Sequence, residues 1–248
     1  MARLPRHCID CVVTDPPWGV AVLFEGADPE KLGMRDSGQN RIMQSDWDMI
    51  DPEILVTAFL KVLRLVVKNK AHVFMFGPWC WMLWLPKATQ RWTFHRPLFW
   101  YKSNMVAPFP NQLSPCYEVI YHLQAELPSI APGEDKWHID HYIRDVFDYC
   151  MTNSEHSDGD HHPSMKPVAV LKELINISSR PGDIIMDPFA GSGSTGVAAK
   201  ATGRWPLLVE KEDKYCRTIE KRLRSTRAEM QATLKGDEDV VSDFKEVG

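Results

Sequence analysis

Two short stretches carry residues whose types and order can do chemistry. The first is Asp15-Pro16-Pro17-Trp18. The Asp15 carboxylate and the Pro16 main-chain carbonyl are two acceptors on adjacent residues, able to take the two N–H bonds of a flat amine. Successive prolines fix their own φ and stiffen the turn that aims those acceptors. Trp18 adds a flat face on which a planar ring can stack. Such a set acts by positioning and charge complementarity, without a covalent intermediate. A strand-ending turn followed by a core tryptophan has the same pattern, so this stretch decides nothing alone.

The second stretch is Asp187-Pro188-Phe189-Ala190-Gly191-Ser192-Gly193-Ser194-Thr195. Its glycines let the backbone turn tightly and approach a ligand without side-chain collision. A helix starting near Ser194 offers unpaired N–H groups to a polar ligand group. A GxG is common in loops; here it has the strand–turn–helix context that gives the motif meaning. Glu210 ends the next predicted strand, where a carboxylate can accept from a sugar diol. A solvated strand-end carboxylate is an equal reading of Glu210 alone.

The elements that must position these turns follow from periodicity and punctuation. Residues 8–14 read as a short β-branched strand stopped by Asp15-Pro16. Residues 19–50 lack periodicity and read as a long loop. Asp51 suits an N-cap and Pro52 a first helical position. Ile54, Leu55, Ala58, Phe59, Val62 and Leu65 form the expected apolar stripe of that helix, with Lys61, Arg64 and Lys68 facing away. Residues 71–76 read as a buried strand, 79–90 as helix, 95–101 as extended chain and 117–123 as strand. Residues 124–165 break the pattern and read as an insertion. Pro167 opens a helix reaching about Ser178; residues 183–186 read as strand, 207–209 as strand, and 213–227 as a basic helix. Strands alternating with helices predict an open, mostly parallel sheet covered on both faces. Ligands in such sheets bind beyond the carboxyl ends of the strands, so both turns are expected to open onto one cleft.

The chain has 248 residues, 44% apolar and 25% charged, which suits one α/β domain with a substantial core. A net charge of -4 means that any nucleic-acid contact must come from a local basic face. Six cysteines with only Cys8 and Cys11 closely spaced do not form a disulfide framework, and no secretion signal precedes them. The longest apolar run, 71–85, is interrupted by Gly77 and Pro78 and falls short of the roughly 20 residues of a membrane span. A cytoplasmic protein is expected.

Taken together, the motifs resemble the β-type DNA amino-methyltransferases, the family that methylates N6 of adenine or N4 of cytosine. Asp15-Pro16-Pro17-Trp18 looks like the family's catalytic tetrapeptide, and the 187–195 turn like its cofactor loop. His162-Pro163-Ser164-Met165-Lys166-Pro167 looks like the HPxxKP segment before that loop. Glu210-Lys211-Glu212 with Tyr215 resembles the strand and helix after it. Catalytic turn first and cofactor loop second is the permuted order of the β type. The resemblance covers residues 8–227 apart from the insertion.

That resemblance implies a Rossmann-like methyltransferase fold of the α/β class and S-adenosyl-L-methionine (SAM) as cofactor. It implies a catalytic half over 1–123, an insertion at 124–165 that helps to recognise the target, a SAM-binding half over 166–227 and a polar tail at 228–248. It assigns Asp15, Pro16, Pro17 and Trp18 to catalysis. It assigns His162, Lys166, Pro167, Asp187, Phe189, Gly191, Gly193, Ser194, Thr195 and Glu210 to the cofactor pocket. DNA with its target base flipped into the site is the implied partner, with a homodimer or partner subunit as a further expectation. Asp at the first catalytic position implies adenine; cytosine N4, RNA adenine and a non-catalytic SAM-binding subunit are the alternatives. The family's Gly-Asp turn upstream of the catalytic strand has no counterpart in residues 1–7, which implies one strand fewer or a truncated start.

Phosphates are expected along Lys87, Arg91, Arg96 and Lys102, a run without acids, or along 200–227, with nine cations against four acids. A solvated helix face is an equal reading of 200–227. Residues 126–160 hold nine acids and only Lys136 and Arg144 as full cations, so they would repel a phosphate backbone. Arg35, Gln39 and Arg41 in the 19–50 loop are further candidates for target contact. Cys8 and Cys11 bracket a buried strand and are read as small hydrophobes rather than half a zinc site. Pro115-Cys116 is read as structural, and His138, His141, His156, His161 and His162 sit among acidic residues and are not read as metal ligands.

Overall fold

The computed structural model describes residues 4–18, 51–89, 91–104, 116–126, 143–150 and 165–226. The chain runs β1 (Ile9–Thr14), α1 (Pro52–Leu63), β2 (Val67–Gly77), a 3-10 turn (Trp79–Leu83), α2 (Leu85–Ala88), β3 (Trp92–Phe94) and β4 (Leu98–Tyr101). It continues with β5 (Tyr117–Ala125), β6 (Val146–Asp148), α3 (Val168–Ser178), β7 (Ile184–Asp187), α4 (Ser194–Ala201) and β8 (Trp205–Leu208). A last helix, α5, occupies 213–226.

The eight strands among the described residues form one sheet in the order β6-β4-β5-β2-β1-β7-β8, with β3 also on β5. β1 pairs parallel with both β2 and β7, and β7 with β8. β5 runs antiparallel to β2, β3 and β4. The sheet is thus parallel around β1 and mixed beyond β2.

Its two faces are covered by different helices, because β1 is apolar on both sides. Ile9 and Val12 pack with Val56, Phe59, Leu60 and Leu63 of α1. Cys11 and Val13 point the other way, against Val170, Leu174 of α3 and Ala198 of α4. Each fully buried aliphatic side chain contributes about 1.5–3 kcal/mol. Asp51 caps α1 by accepting from the amides of Glu53 at 2.8 Å and Ile54 at 3.4 Å, and Pro52 begins the helix, as its residues predict. Arg204 closes α3 by donating to the Ser179 carbonyl at 2.7 Å. No described helix is long and apolar enough to cross a membrane.

Several expectations are corrected. The buried stripe of α1 is Pro52, Val56, Phe59, Leu60 and Leu63, whereas Ile54 is 67% exposed and Leu65 also faces out. Apolar residues lie all round this helix, so spacing alone admits two phases; packing against Ile9 and Val12 of β1 and Val73 and Met75 of β2 selects one. Residues 79–90 are not one helix: Pro86 and the packing of Trp81 beneath Gly77 split the stretch into a 3-10 turn and one α turn. Within the 95–101 stretch only Leu98–Tyr101 is strand, and a separate short strand, β3, lies before it; both pair with β5. The strand expected at 207–209 is β8, starting two residues earlier, because Trp205 and Pro206 ladder onto β7. β5 runs two residues into the expected insertion, and β6, within that segment, pairs with β4. Most of the remaining insertion, the 19–50 loop and the 228–248 tail lie outside the described residues.

Candidate active site

β1 and β7 lie side by side and parallel, with Cys11 opposite Ile185 and Val12 opposite Met186. The segments that follow them therefore leave the same edge of the sheet. Those segments are the Asp15–Trp18 turn and the Pro188–Gly193 bend, and a side-chain bond joins their bases: Thr14 Oγ1 donates to Asp187 Oδ1 at 2.7 Å. The Phe189 amide donates to the same carboxylate oxygen at 3.1 Å. Asp187 is 4% exposed. Burial pushes its carboxyl up to about 6, against the pull of the hydrogen bonds from Thr14, Thr195 and Phe189, and the negative Asp15 adds to the rise.

The bend reaches Gly193 in a left-handed conformation, φ 81°, which glycine adopts without strain. A Cβ at Gly193 would meet Ile219 Cγ1 of α5 at 2.7 Å, so α5 packs directly on the bend. Ser194 and Thr195 are buried in the first turn of α4, and Thr195 Oγ1 reaches the Val13 carbonyl at 3.5 Å. Phe189 sets its ring edge-on to Phe59 of α1, centroids 5.6 Å apart. At the end of β8, one Glu210 oxygen accepts from the Gly191 amide at 2.7 Å. The other accepts from the amides of Lys211 at 2.7 Å and Glu212 at 2.8 Å. Asp187 and Glu210 thus place two carboxylates at the ends of adjacent strands, on either side of the bend.

At the first turn, Asp15 Oδ1 accepts from Trp18 Nε1 at 2.9 Å, and Lys166 Nζ donates to Oδ2 at 2.5 Å. Pro16 is buried; Pro17 and Trp18 are partly buried. Burial and the nearby Glu118 raise the Asp15 carboxyl above its ordinary range, while Lys166 opposes them. The Lys166 ammonium also lies 5.3 Å above the Trp18 ring and 5.2 Å from that of Phe76. Burial works against its charge, but Asp15 and Glu118 together hold it above the ordinary lysine value.

Lys166 is thus placed on the Asp15 turn, while the neighbouring Pro167 precedes the first residue of α3. His162 lies outside the described residues. Lys102 is not free to track phosphates: its ammonium contacts Glu118 at 2.6 Å, with 12% of the side chain exposed. Sequence reasoning did not find Thr14, Glu118 or Arg222. Arg222 of α5 donates to the Ser192 carbonyl at 2.8 Å and to the Ser194 hydroxyl at 3.2 Å, clamping the bend from outside. Glu118 had a visible signal, a carboxylate at the head of the apolar run Val119-Ile120-Tyr121. Arg222 had none, being one cation among several on a basic helix. Cys11 is buried with its Sγ 3.2 Å from the Ser178 hydroxyl, as a core residue.

The chain is 24% identical over 253 residues to the type II methyltransferase M.HinfI of Haemophilus influenzae, covering 92% of this chain and 66% of that protein. It is 26% identical over 242 residues to the type II methyltransferase M2.LlaDCHI of Lactococcus lactis subsp. cremoris, covering 90% of this chain and 85% of that one. Its fold is similar to that of M1.HpyAVI in a crystal structure with SAM, with a TM-score of 0.63, 20% identity and 90% of each chain covered. The profile of the N6/N4 DNA methylase family matches residues 9–221, and the chain belongs to that family.

Proposed function

We propose that the chain transfers a methyl group from SAM to the exocyclic amine of a DNA base, and that the amine is N6 of adenine. The observation that carries this reading is the hydrogen bond from Thr14 to Asp187, which ties an amine-gripping turn to a ligand-cradling bend at one edge of the sheet. Membership of the family supplies the nucleic-acid substrate and the reaction class.

The donor set suits SAM. Its amino-acid end carries an ammonium, for which Asp187 is a buried anionic partner. Its ribose diol needs an acceptor, and Glu210 stands beside Gly191. Positive φ at Gly191 and Gly193 lets the backbone between them come close to a ligand. When bound, SAM would supply an electrophilic methyl group on a sulfonium: as the N–C bond forms the S–C bond breaks, the neutral thioether leaves, and the surplus proton of the amine passes to solvent.

The remaining steps belong to the chain. An exocyclic amine is a weak nucleophile because its lone pair is delocalised into the ring. Asp15 accepts one N–H and the Pro16 carbonyl the other, which favours a pyramidal nitrogen with its lone pair directed at the methyl carbon. Trp18 stacks on the extruded base. The short turn, anchored by Lys166, holds these acceptors in place before the base arrives, so little reorganisation is needed in the transition state.

The deciding experiment incubates the protein with labelled SAM and matched DNA and RNA, then digests to nucleosides. N6-methyladenine from DNA is expected. N4-methylcytosine, or label in RNA alone, would overturn the adenine-in-DNA assignment, and no label with intact SAM binding would make the chain a non-catalytic subunit.

A further inference from the structure

Glu118 stands near the start of β5, just before the buried Val119, Ile120 and Tyr121. Its carboxylate is mostly covered, with 13% of the side chain exposed, and it lies between two ammonium groups. Lys102 contacts one oxygen at 2.6 Å, and Lys166 the other at 3.2 Å. Lys166 in turn contacts Asp15 at 2.5 Å. The four charges alternate in sign from the far end of β4 to the Asp15 turn, and they sum to zero.

An alternating row has a consequence for the carboxylate at its end. A single ammonium at hydrogen-bond distance draws down the negative charge that Asp15 can offer to an incoming N–H. A second carboxylate on the same ammonium competes for it. It also repels the charge on Asp15 directly, so both effects of Glu118 strengthen Asp15 as an acceptor. Lys102 helps to keep Glu118 ionised. Burial alone would neutralise that carboxyl, but Lys166 and Lys102 hold it below its ordinary value.

We propose, building on the methyl-transfer reading, that Glu118 is a positioning residue: by sharing the Lys166 ammonium with Asp15, it leaves the Asp15 carboxylate less neutralised by that ammonium and so a stronger acceptor for the target amine. The described charged groups that bear on Asp15 are Lys166 before α3, Glu118 on β5 with its partner Lys102 after β4, and Asp187 at the end of β7. From β2, the ring of Phe76 lies 5.2 Å from the Lys166 ammonium.

The test is a pH titration of the Asp15 side chain by carbon NMR on the full chain with labelled aspartate, the signal identified by its loss in Asp15→Asn. Glu118→Gln preserves shape and removes the charge; the Asp15 midpoint should fall by about one unit. Glu118→Asp keeps the charge and should leave the midpoint within a few tenths of a unit of wild type. Lys166→Met should raise it by about 1–3 units. In methylation assays, Glu118→Gln should lower kcat about tenfold while the KM for DNA stays unchanged. An unmoved or raised midpoint in Glu118→Gln, or equal shifts in Glu118→Gln and Glu118→Asp, would overturn the proposal. The titration needs no turnover, so a wild-type chain that methylates no DNA counts against the methyl-transfer reading alone.

Discussion

Thr14 and Asp187 are 173 positions apart in the chain, yet the Thr14 hydroxyl donates to the Asp187 carboxylate across 2.7 Å inside the protein. Each residue is the last of its strand, and each is followed at once by a turn with a role in the proposed reaction. The bond makes the two turns one mechanical unit.

Breaking that bond tests the unit. Thr14→Val keeps the shape and leaves Asp187 one donor short, a cost of about 1–3 kcal/mol for a buried acceptor. With less to oppose burial, the Asp187 carboxyl should rise further above about 6. SAM affinity, measured by calorimetry, should fall, and the deficit should grow as pH drops from 8 to 6.

The same carboxyl predicts a pH dependence in the wild type. The Asp187 value is raised from 3.8 to about 6. Between those values the folded state binds more protons than the unfolded one. This group therefore makes the fold less stable as pH rises through that window. Cofactor binding runs the opposite way: an ammonium needs the ionised carboxylate, so affinity should fall as pH drops below about 6. Asp187→Asn should bind SAM weakly and flatten that profile; an unchanged profile would remove Asp187 from contact with the ammonium.

Asp15→Ala should abolish methyl transfer to DNA while SAM affinity stays within about twofold of wild type, because the proposed reaction has Asp15 grip the amine and not the cofactor. Turnover retained by this variant would exclude Asp15 from the mechanism.

Gly193→Ala should destabilise the protein by about 1–3 kcal/mol, because alanine is strained at a φ of 81° and its Cβ would lie 2.7 Å from Ile219. Denaturant unfolding reads this directly. Ile219→Ala in the same chain should recover only part of the loss, since it relieves the collision and not the backbone strain.

The phase of α1 makes a simpler pair. Leu60→Ala should cost about 2–5 kcal/mol. Ile54→Ala should lie within about 0.5 kcal/mol of wild type, since Ile54 is 67% exposed.

What was legible in the sequence was local. The β1 strand, the Asp51 cap with Pro52, the glycine bend and the start of α4 each follow from a few adjacent residues whose backbone preferences agree. The order of the two turns, read with the strand–helix alternation, was enough to expect one cleft. Three features were not legible, because each depends on distant partners. The α1 face is chosen by what β1 and β2 present to it. Lys102 appeared as a free cation because Glu118, sixteen residues away, gave no sign of being next to it. The contact of the Lys166 ammonium with Asp15 was not legible because the two residues lie 151 positions apart in the chain.

Neighbouring strands stand about 4.8 Å apart whatever their side chains, because the peptide ladder sets the interval. With β1 and β7 adjacent, the separation between the roots of the two turns is inherited from that ladder. Substitutions elsewhere in the chain that leave this ladder paired leave that separation unchanged. In the proposed reaction, the gauge between donor and acceptor is therefore a property of the backbone.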